Sequence, residues 1–299
     1  MLRYFKKKWV IALIVVLATS FLLLGYAYLI EPCFIRTVCY EVSSENLPAE
    51  FHGTKIIWLA DPHQDTRGSF NLTEKVQNIV KAEKPDLLLF GGDYSAPNKQ
   101  SLSRFFDGWK DIPAPLGKFG VLGNHDDWNP HAVFAVMQNA DIWDLDNRSI
   151  WLTKGNARIK LAGVADLWTG RPNLVSLKYD LQPDDFVILL THNPDLIHHL
   201  EDKDRQMIDL ALAGHSHGGQ VTLFGLYAPM ATTTEQFRTG KAKPHDNEKL
   251  TVIISNGIGT SGLPIRFCAP PQIVVVTLHS TQTATQNSES KPQNQPPDL

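Results

Sequence analysis

Seven residues with metal-binding side chains lie in five short clusters, each directly after an apolar run. Asp61 and His63 follow the run 55–60, and Asp93 follows 86–90 and two glycines. Asn124, His125 and Asp126 follow 119–123, His192 follows 186–191, and His215 and His217 follow 208–214. Imidazole suits zinc, iron and manganese, while carboxylate and amide oxygens favour harder ions. Two carboxylates, one amide and four imidazoles (Asp61, Asp93, Asn124, His63, His192, His215, His217) exceed the three ligands a catalytic ion usually takes. Shared between two ions, with one carboxylate bridging, the set is about right. Ions roughly 3.5–4 Å apart support in-line displacement at phosphorus. Any one of these histidines alone reads more often as a satisfied loop or core residue; the repetition is what points to a common site.

Continuous leucine-rich and β-branched runs of this length read as strands buried on both faces. In such sheets, ligands bind where the chain leaves the carboxyl ends of the strands. The spacing predicts helices over 72–84, where Leu72, Val76, Ile79 and Val80 share a face, over 98–110, and over 130–140, where Pro130 suits the first turn. Segments 148–154 and 157–164 alternate as strands of a second sheet, and 250–255 and 272–278 are expected to return to it. The fold class is therefore α/β (α+β): a two-sheet β-sandwich flanked by helices over 51–279, with 31–50 as a linker and 280–299 as a disordered tail. Residues 221–249 read as loops bordering the site, with Lys241, Lys243 and His245 solvated. Trp168 and Arg171 are placed as one wall of a pocket, and Arg266 in a structural ion pair rather than on a phosphate. His52, His131, His198, His199 and His279 are expected at the surface.

Residues 1–30 differ from the rest. Arg3, Lys6, Lys7 and Lys8 precede an uncharged apolar stretch over 9–30. As a helix it would be about 33 Å long, enough to cross a bilayer core. It exceeds the usual apolar core of a cleaved signal peptide, so an uncleaved transmembrane helix is expected. The positive charges put the N-terminus in the cytoplasm and the remainder on the extracytoplasmic (in a Gram-negative cell, periplasmic) side of the inner membrane. A net charge of −3 gives no bulk attraction to nucleic acid. Cys33 and Cys39 could pair outside the cytoplasm, leaving Cys268 over, but no cysteine spacing suits a metal.

The order Asp-x-His, Gly-Gly-Asp, Gly-Asn-His-Asp, Thr-His and Gly-His-Ser-His-Gly-Gly-Gln resembles the calcineurin-like metallophosphoesterases over residues 53 to 279. Within them, 84–86, 91–94, 164–168, 192–195 and 262–268 are most similar to the bacterial YaeI-type phosphodiesterases. The resemblance implies a dinuclear site of two divalent ions (Mn2+, Zn2+ or Fe2+). Asp61, His63 and His217 would hold one ion, Asn124, His192 and His215 the other, and Asp93 would bridge. It further implies that a metal-bridging hydroxide attacks a phosphoester, with His125 beside the scissile phosphate and Asp126 orienting its ring. Two positions depart from the pattern. Asp65 replaces a glycine and is expected to point into solvent rather than bias the choice of metal; Ala96 replaces an aspartate. The implied protein is a monomeric, membrane-anchored phosphodiesterase acting on a lipid- or envelope-linked phosphoester. One alternative is a UDP-2,3-diacylglucosamine pyrophosphatase of lipid A synthesis, which the topology opposes because that substrate is made on the cytoplasmic side. The other is a non-catalytic scaffold, which the retention of His125 and all seven ligands opposes.

Overall fold

The apolar runs fold as short strands whose residues are almost all buried, as expected where both faces of a sheet are covered. A computed structural model describes residues 2–66, 72–226, 228, 233–244, 247 and 249–282, the side chains of 2–6 and 235 excepted. His245 and the segment 283–299 lie outside the described residues. Strands β1 (Arg36–Ser44), β2 (Lys55–Leu59), β3 (Leu87–Phe90), β4 (Lys118–Gly120) and β5 (Trp143–Asp144) belong to one sheet. Strands β6 (Arg148–Lys154), β7 (Ala157–Gly163), β8 (Val187–Leu190), β9 (Leu210–Ala213), β10 (Gly240–Ala242) and β11 (Thr251–Ile254) form the other. The last strand, β12 (Gln272–Ser280), enters the first sheet between β1 and β2.

β2, β3 and β4 run parallel, as do β7, β8, β9 and β11, so the carboxyl ends of the motif-bearing strands lie together within each sheet. Ile56, Trp58, Leu89 and Val121 of the first sheet pack against Leu161, Ile188, Leu190 and Leu212 of the second, forming the central core. Trp58 also donates through Nε1 to the carbonyl of Ala213 (3.0 Å), pinning the two sheets together beside the motif loops.

The outer face of the first sheet is covered by α2 (Thr73–Glu83), α3 (Lys99–Phe106) and α4 (Pro130–Asn139). α2 buries Val76 and Val80, and stops at Lys84, which takes a left-handed φ of 52° ahead of Pro85. Asn98 and Asn129 cap α3 and α4 by accepting from the amides of Ser101 and Ala132.

Two expectations change. The 272–278 run returns to the first sheet, antiparallel to β2, while 250–255 joins the second as foreseen. Much of the 31–50 segment is strand β1, parallel to β12 over its full length, not linker. Cys33, Cys39 and Cys268 are all free thiols.

The N-terminal helix α1 (Leu2–Gly25) continues through one π turn (Tyr26–Ile30), and Lys7–Cys33 is long and apolar enough to cross a membrane. Its far end is fastened to the domain. Ala27 accepts from the amide of Arg266 (2.9 Å), and the buried Glu31 carboxylate accepts from the amides of Cys268 (3.0 Å) and Ala269 (2.7 Å). The ring of Tyr26 meets that of Phe267 edge-on.

Candidate metal centre

Beyond β2 and β3 the two chains stay paired: Asp61 donates its amide to the carbonyl of Gly92, and His63 donates to that of Asp93. The hydrogen-bonded ladder thus runs on into the loops that carry the site. Asp61, His63, Asp93, His215 and His217 all adopt positive φ between 45° and 66°. Left-handed backbone at non-glycine residues is uncommon and costs of order 1 kcal/mol or more each. At Gly123 a Cβ would stand 2.3 Å from the Asp93 carboxylate and 2.7 Å from the His192 ring, so only glycine permits that approach.

Two groups of side chains converge at this rim. Asp61, His63 and His217 present ligand atoms within 4.8 Å of one another, as do Asp93, His192 and His215, and all six residues are buried. Asp93 stands between them: its Oδ2 is 3.5 Å from Nε2 of His63 and 3.4 Å from Nε2 of His192. Asn124 joins the second group, its Oδ1 3.2 Å from Nε2 of His192. Nε2 of His63 faces Nε2 of His217 at 3.1 Å, and Nε2 of His192 faces Nδ1 of His215 at 3.1 Å. Buried imidazole nitrogens aimed at one another beside carboxylates are the donor set of a divalent cation, and each cluster could hold one. His192 is steered by a contact from Nδ1 to the carbonyl of Gly91 (2.7 Å), which directs its Nε2 inward. All seven residues proposed from the sequence as ligands therefore meet in one place.

His125 is exposed at the mouth, its ring 5.1 Å from that of His63 and its amide donating to Oδ1 of Asp93 (2.8 Å). Asp126 plays a part other than the expected one. Its buried carboxylate accepts from the amides of Asp93 (2.7 Å), Tyr94 (3.0 Å) and Gly123 (2.9 Å), and makes no hydrogen bond to the His125 ring among the described residues. It clamps two site loops together. Asp65 neither faces solvent alone nor joins the metal groups: it pairs with Arg104, and its φ of 58° explains why glycine suits that position.

A cavity of about 200 Å³ opens over these groups, lined by His125, His215, His217, Trp168, Gln220 and Ser261 among others. Trp168 stands edge-on to His215 with ring centroids 4.3 Å apart, forming the expected wall, whereas Arg171 is not among the lining residues. Gln220 was not singled out from the sequence, although it ends the last motif. It donates to the carbonyls of Ser261 and Leu263 (3.0 Å each) and accepts from the amide of Ser261, joining the two sides of the mouth. Arg266 forms no ion pair within 4 Å among the described residues. It is fully buried and donates to the carbonyls of Asn256, Gly259, His217 and Ala269, with Nη2 3.3 Å from Nδ1 of His217.

Burial governs ionisation here. It pushes the Asp61 carboxyl up to about 7, brings His63 down to about 4 and His215 to about 3, and, with His63 and Arg266 nearby, lowers His217 well below its usual range. Burial would also lower His192, but the adjacent Asp93 carboxylate outweighs it and holds the ring protonated well above its ordinary value. Three imidazoles are thus ready to ligate, while the protein without metal carries protons on His192 and, below neutrality, on Asp61. Cations must displace both. Apparent Mn2+ affinity is therefore expected to fall as pH drops from 8 to 6, by up to about tenfold per pH unit for each proton displaced. Calorimetric titration in buffers of different ionisation enthalpy counts those protons, and release at pH 6 no greater than at pH 8 would contradict the assignment.

Residues 54–219 match the family model described as calcineurin-like phosphoesterase. Among similar proteins, the uncharacterized metallophosphoesterase YkuE of Bacillus subtilis is 30% identical, covering 86% of this chain and 90% of its own length. UDP-2,3-diacylglucosamine pyrophosphatase LpxG of Chlamydia trachomatis is 26% identical over 89% of this chain and 95% of its own. Phosphodiesterase YaeI of Escherichia coli is 28% identical over 71% and 77%.

Proposed function

We propose, from the premise that this chain belongs to the calcineurin-like phosphoesterase family, that it is a membrane-anchored phosphodiesterase. The observation that carries this reading is Asp93 standing between two buried ligand groups, 3.5 Å and 3.4 Å from one histidine of each. Asp61, His63 and His217 would hold one divalent cation, Asn124, His192 and His215 the other, and Asp93 both. Such a pair supplies a lowered pKa for an attacking water and neutralises charge gathering on phosphoryl oxygens.

The chain's own groups do the remainder. Asp126 fixes the Asp93 and Gly123 loops relative to each other, so the Asp93 carboxylate is positioned before substrate arrives. His125, exposed with its ring 5.1 Å from that of His63, would contact a phosphoryl oxygen or the leaving oxygen. Trp168 and Gln220 bound the space left for the rest of the substrate. Because His125 belongs to neither ligand group, His125→Ala is expected to lower kcat by about 10²-fold or more without changing bound metal. Steady-state kinetics together with elemental analysis of the same preparation read the two effects separately; loss of metal in step with activity would make His125 a ligand instead.

Turnover of bis-p-nitrophenyl phosphate by the full chain in detergent with Mn2+ tests the reaction class, and its absence across Mn2+, Zn2+ and Fe2+ would overturn the reading. A second reading, cleavage of the pyrophosphate in UDP-2,3-diacylglucosamine, is favoured by the similarity to LpxG over 89% of this chain. The lysines before the apolar helix oppose it, since they would leave the domain outside the cytoplasm. Release of UMP from that substrate, set against the simple diester, decides between them.

A further inference from the structure

The wall of the metal cavity and the end of the membrane helix are parts of one short stretch of structure. Gln220 lines the cavity, its carbonyl accepts from the amide of Phe267 (3.0 Å), and Phe267 carries the ring that meets Tyr26 of the helix end. The next residues stay on the same support: Val221 bridges to Phe267, and Thr222 donates its amide to the carbonyl of Phe267 and its hydroxyl to that of Cys268. Cys268 in turn donates its amide to Glu31. The chain then turns tightly over 222–226, closed by hydrogen bonds from Gly225 to the Thr222 hydroxyl and from Leu226 to the carbonyl of Leu223. The buried Arg238 braces it by donating to the carbonyl of Gly225 from one side and of Gly218, beside the metal ligands, from the other.

What this turn displays is apolar. Leu223, Phe224 and Leu226 are 57%, 76% and 83% exposed, and Leu263, whose carbonyl Gln220 holds, is 54% exposed. Phe224 adopts a φ of 52°, an unusual conformation for a bulky residue, so its ring is held outward at some cost. Contiguous apolar groups in water mark a binding surface. Its position says what covers it. Tyr26 and Tyr28, at the end of the span, are the aromatic residues that settle at a membrane–water boundary, and Tyr26 touches the support on which the turn is built.

We infer that the Leu223–Leu226 turn, with Leu263, dips into the leaflet where the span ends, seating the mouth of the metal cavity on the bilayer so that a phosphoester borne on a lipid head group enters sideways from the membrane. This rests on the anchored-phosphodiesterase reading and deepens it. A membrane-resident substrate keeps its acyl chains in hydrocarbon, reached through the apolar turn, while only the head group passes Gln220 and Trp168 to the metals. Substrate supplied in this way is already concentrated at the mouth.

Two measurements on the full chain, reconstituted in vesicles of phosphatidylethanolamine and phosphatidylglycerol, test it. In a Trp9→Phe background, Phe224→Trp should add fluorescence that acyl-brominated lipids quench. Tyr179→Trp, at the opposite rim where Lys160 and Val187 begin the strand pairing, should add fluorescence that they do not quench. Equal quenching of both, or of neither, overturns the proposal. Second, the combined change Leu223→Ser, Phe224→Ser and Leu226→Ser should cut turnover of vesicle-borne phosphatidyl-p-nitrophenol by roughly tenfold or more, while changing that of soluble bis-p-nitrophenyl phosphate by no more than about twofold. A parallel fall on both substrates, or on neither, counts against it. Quenching is independent of turnover, so an unchanged protein that cleaves neither diester would defeat the functional reading while the bromine measurement still decides the surface.

Discussion

Asp93→Asn is expected to reduce diester turnover by on the order of 10³-fold or more, the largest effect of any single substitution in this protein. The amide matches the carboxylate in size and can still accept the His125 amide hydrogen bond through its oxygen. It cannot carry the charge that faces both ligand groups, so binding at both positions should weaken at once. The loss of charge also releases His192, which Asp93 holds protonated, to its burial-lowered state. Elemental analysis should find fewer than two equivalents bound, and kinetics at saturating Mn2+ should recover little. A variant retaining two metals and more than about a tenth of the activity would contradict a shared role for Asp93 at both positions.

Arg266→Ala is expected to be the most destabilising change. Nε donates to Gly259 (3.0 Å), Nη1 to His217 (3.2 Å) and Ala269 (2.7 Å), and Nη2 to Asn256 (2.8 Å), all backbone carbonyls around a fully buried side chain. Burial lowers the guanidinium only to about 10, so it stays charged at neutral pH. Alanine would leave these acceptors without donors and a void among them, costing about 3–5 kcal/mol. For a domain of this size each kcal/mol moves Tm by roughly 2–4 °C, so a drop on the order of 10 °C is expected in thermal unfolding. Arg266→Lys keeps the charge but cannot span carbonyls on several sides, and should fall between. An unchanged Tm for the alanine variant would contradict this account.

The convergence of the seven candidate ligands was legible because each follows an apolar run, and parallel strands deliver their ends to one rim. Helix α2 was legible from its apolar period and α4 from Pro130 in its first turn, while α3 stops at Phe106, short of the expected 110, and gives way to a 3-10 turn at Trp109–Asp111. Other features were hidden for identifiable reasons. An apolar run such as 272–278 declares a buried strand but not its sheet, because either face of the sandwich would bury it equally. β1 is an edge strand, partly exposed and close in sequence to the N-terminal apolar helix, yet the alternation of Val38, Tyr40 and Val42 toward the interior could have revealed it. Arg266 carries no periodic signal, and its partners come from three separated segments. Asp126 differs from expectation because the resemblance assigned its carboxylate to the His125 ring, whereas its turn points the carboxylate at backbone amides.

The placement of β12 bears on how the polypeptide comes to be folded. β1 emerges early from the ribosome but, among the described residues, pairs only with β12, and β2 meets β12 along its other edge. Until the residues around 280 have been synthesised, both strands present open backbone, and such edges invite association with other chains. A product ending short of Gln272 would therefore leave the sheet unclosed, and β12 serves as the latch that ends this vulnerable interval.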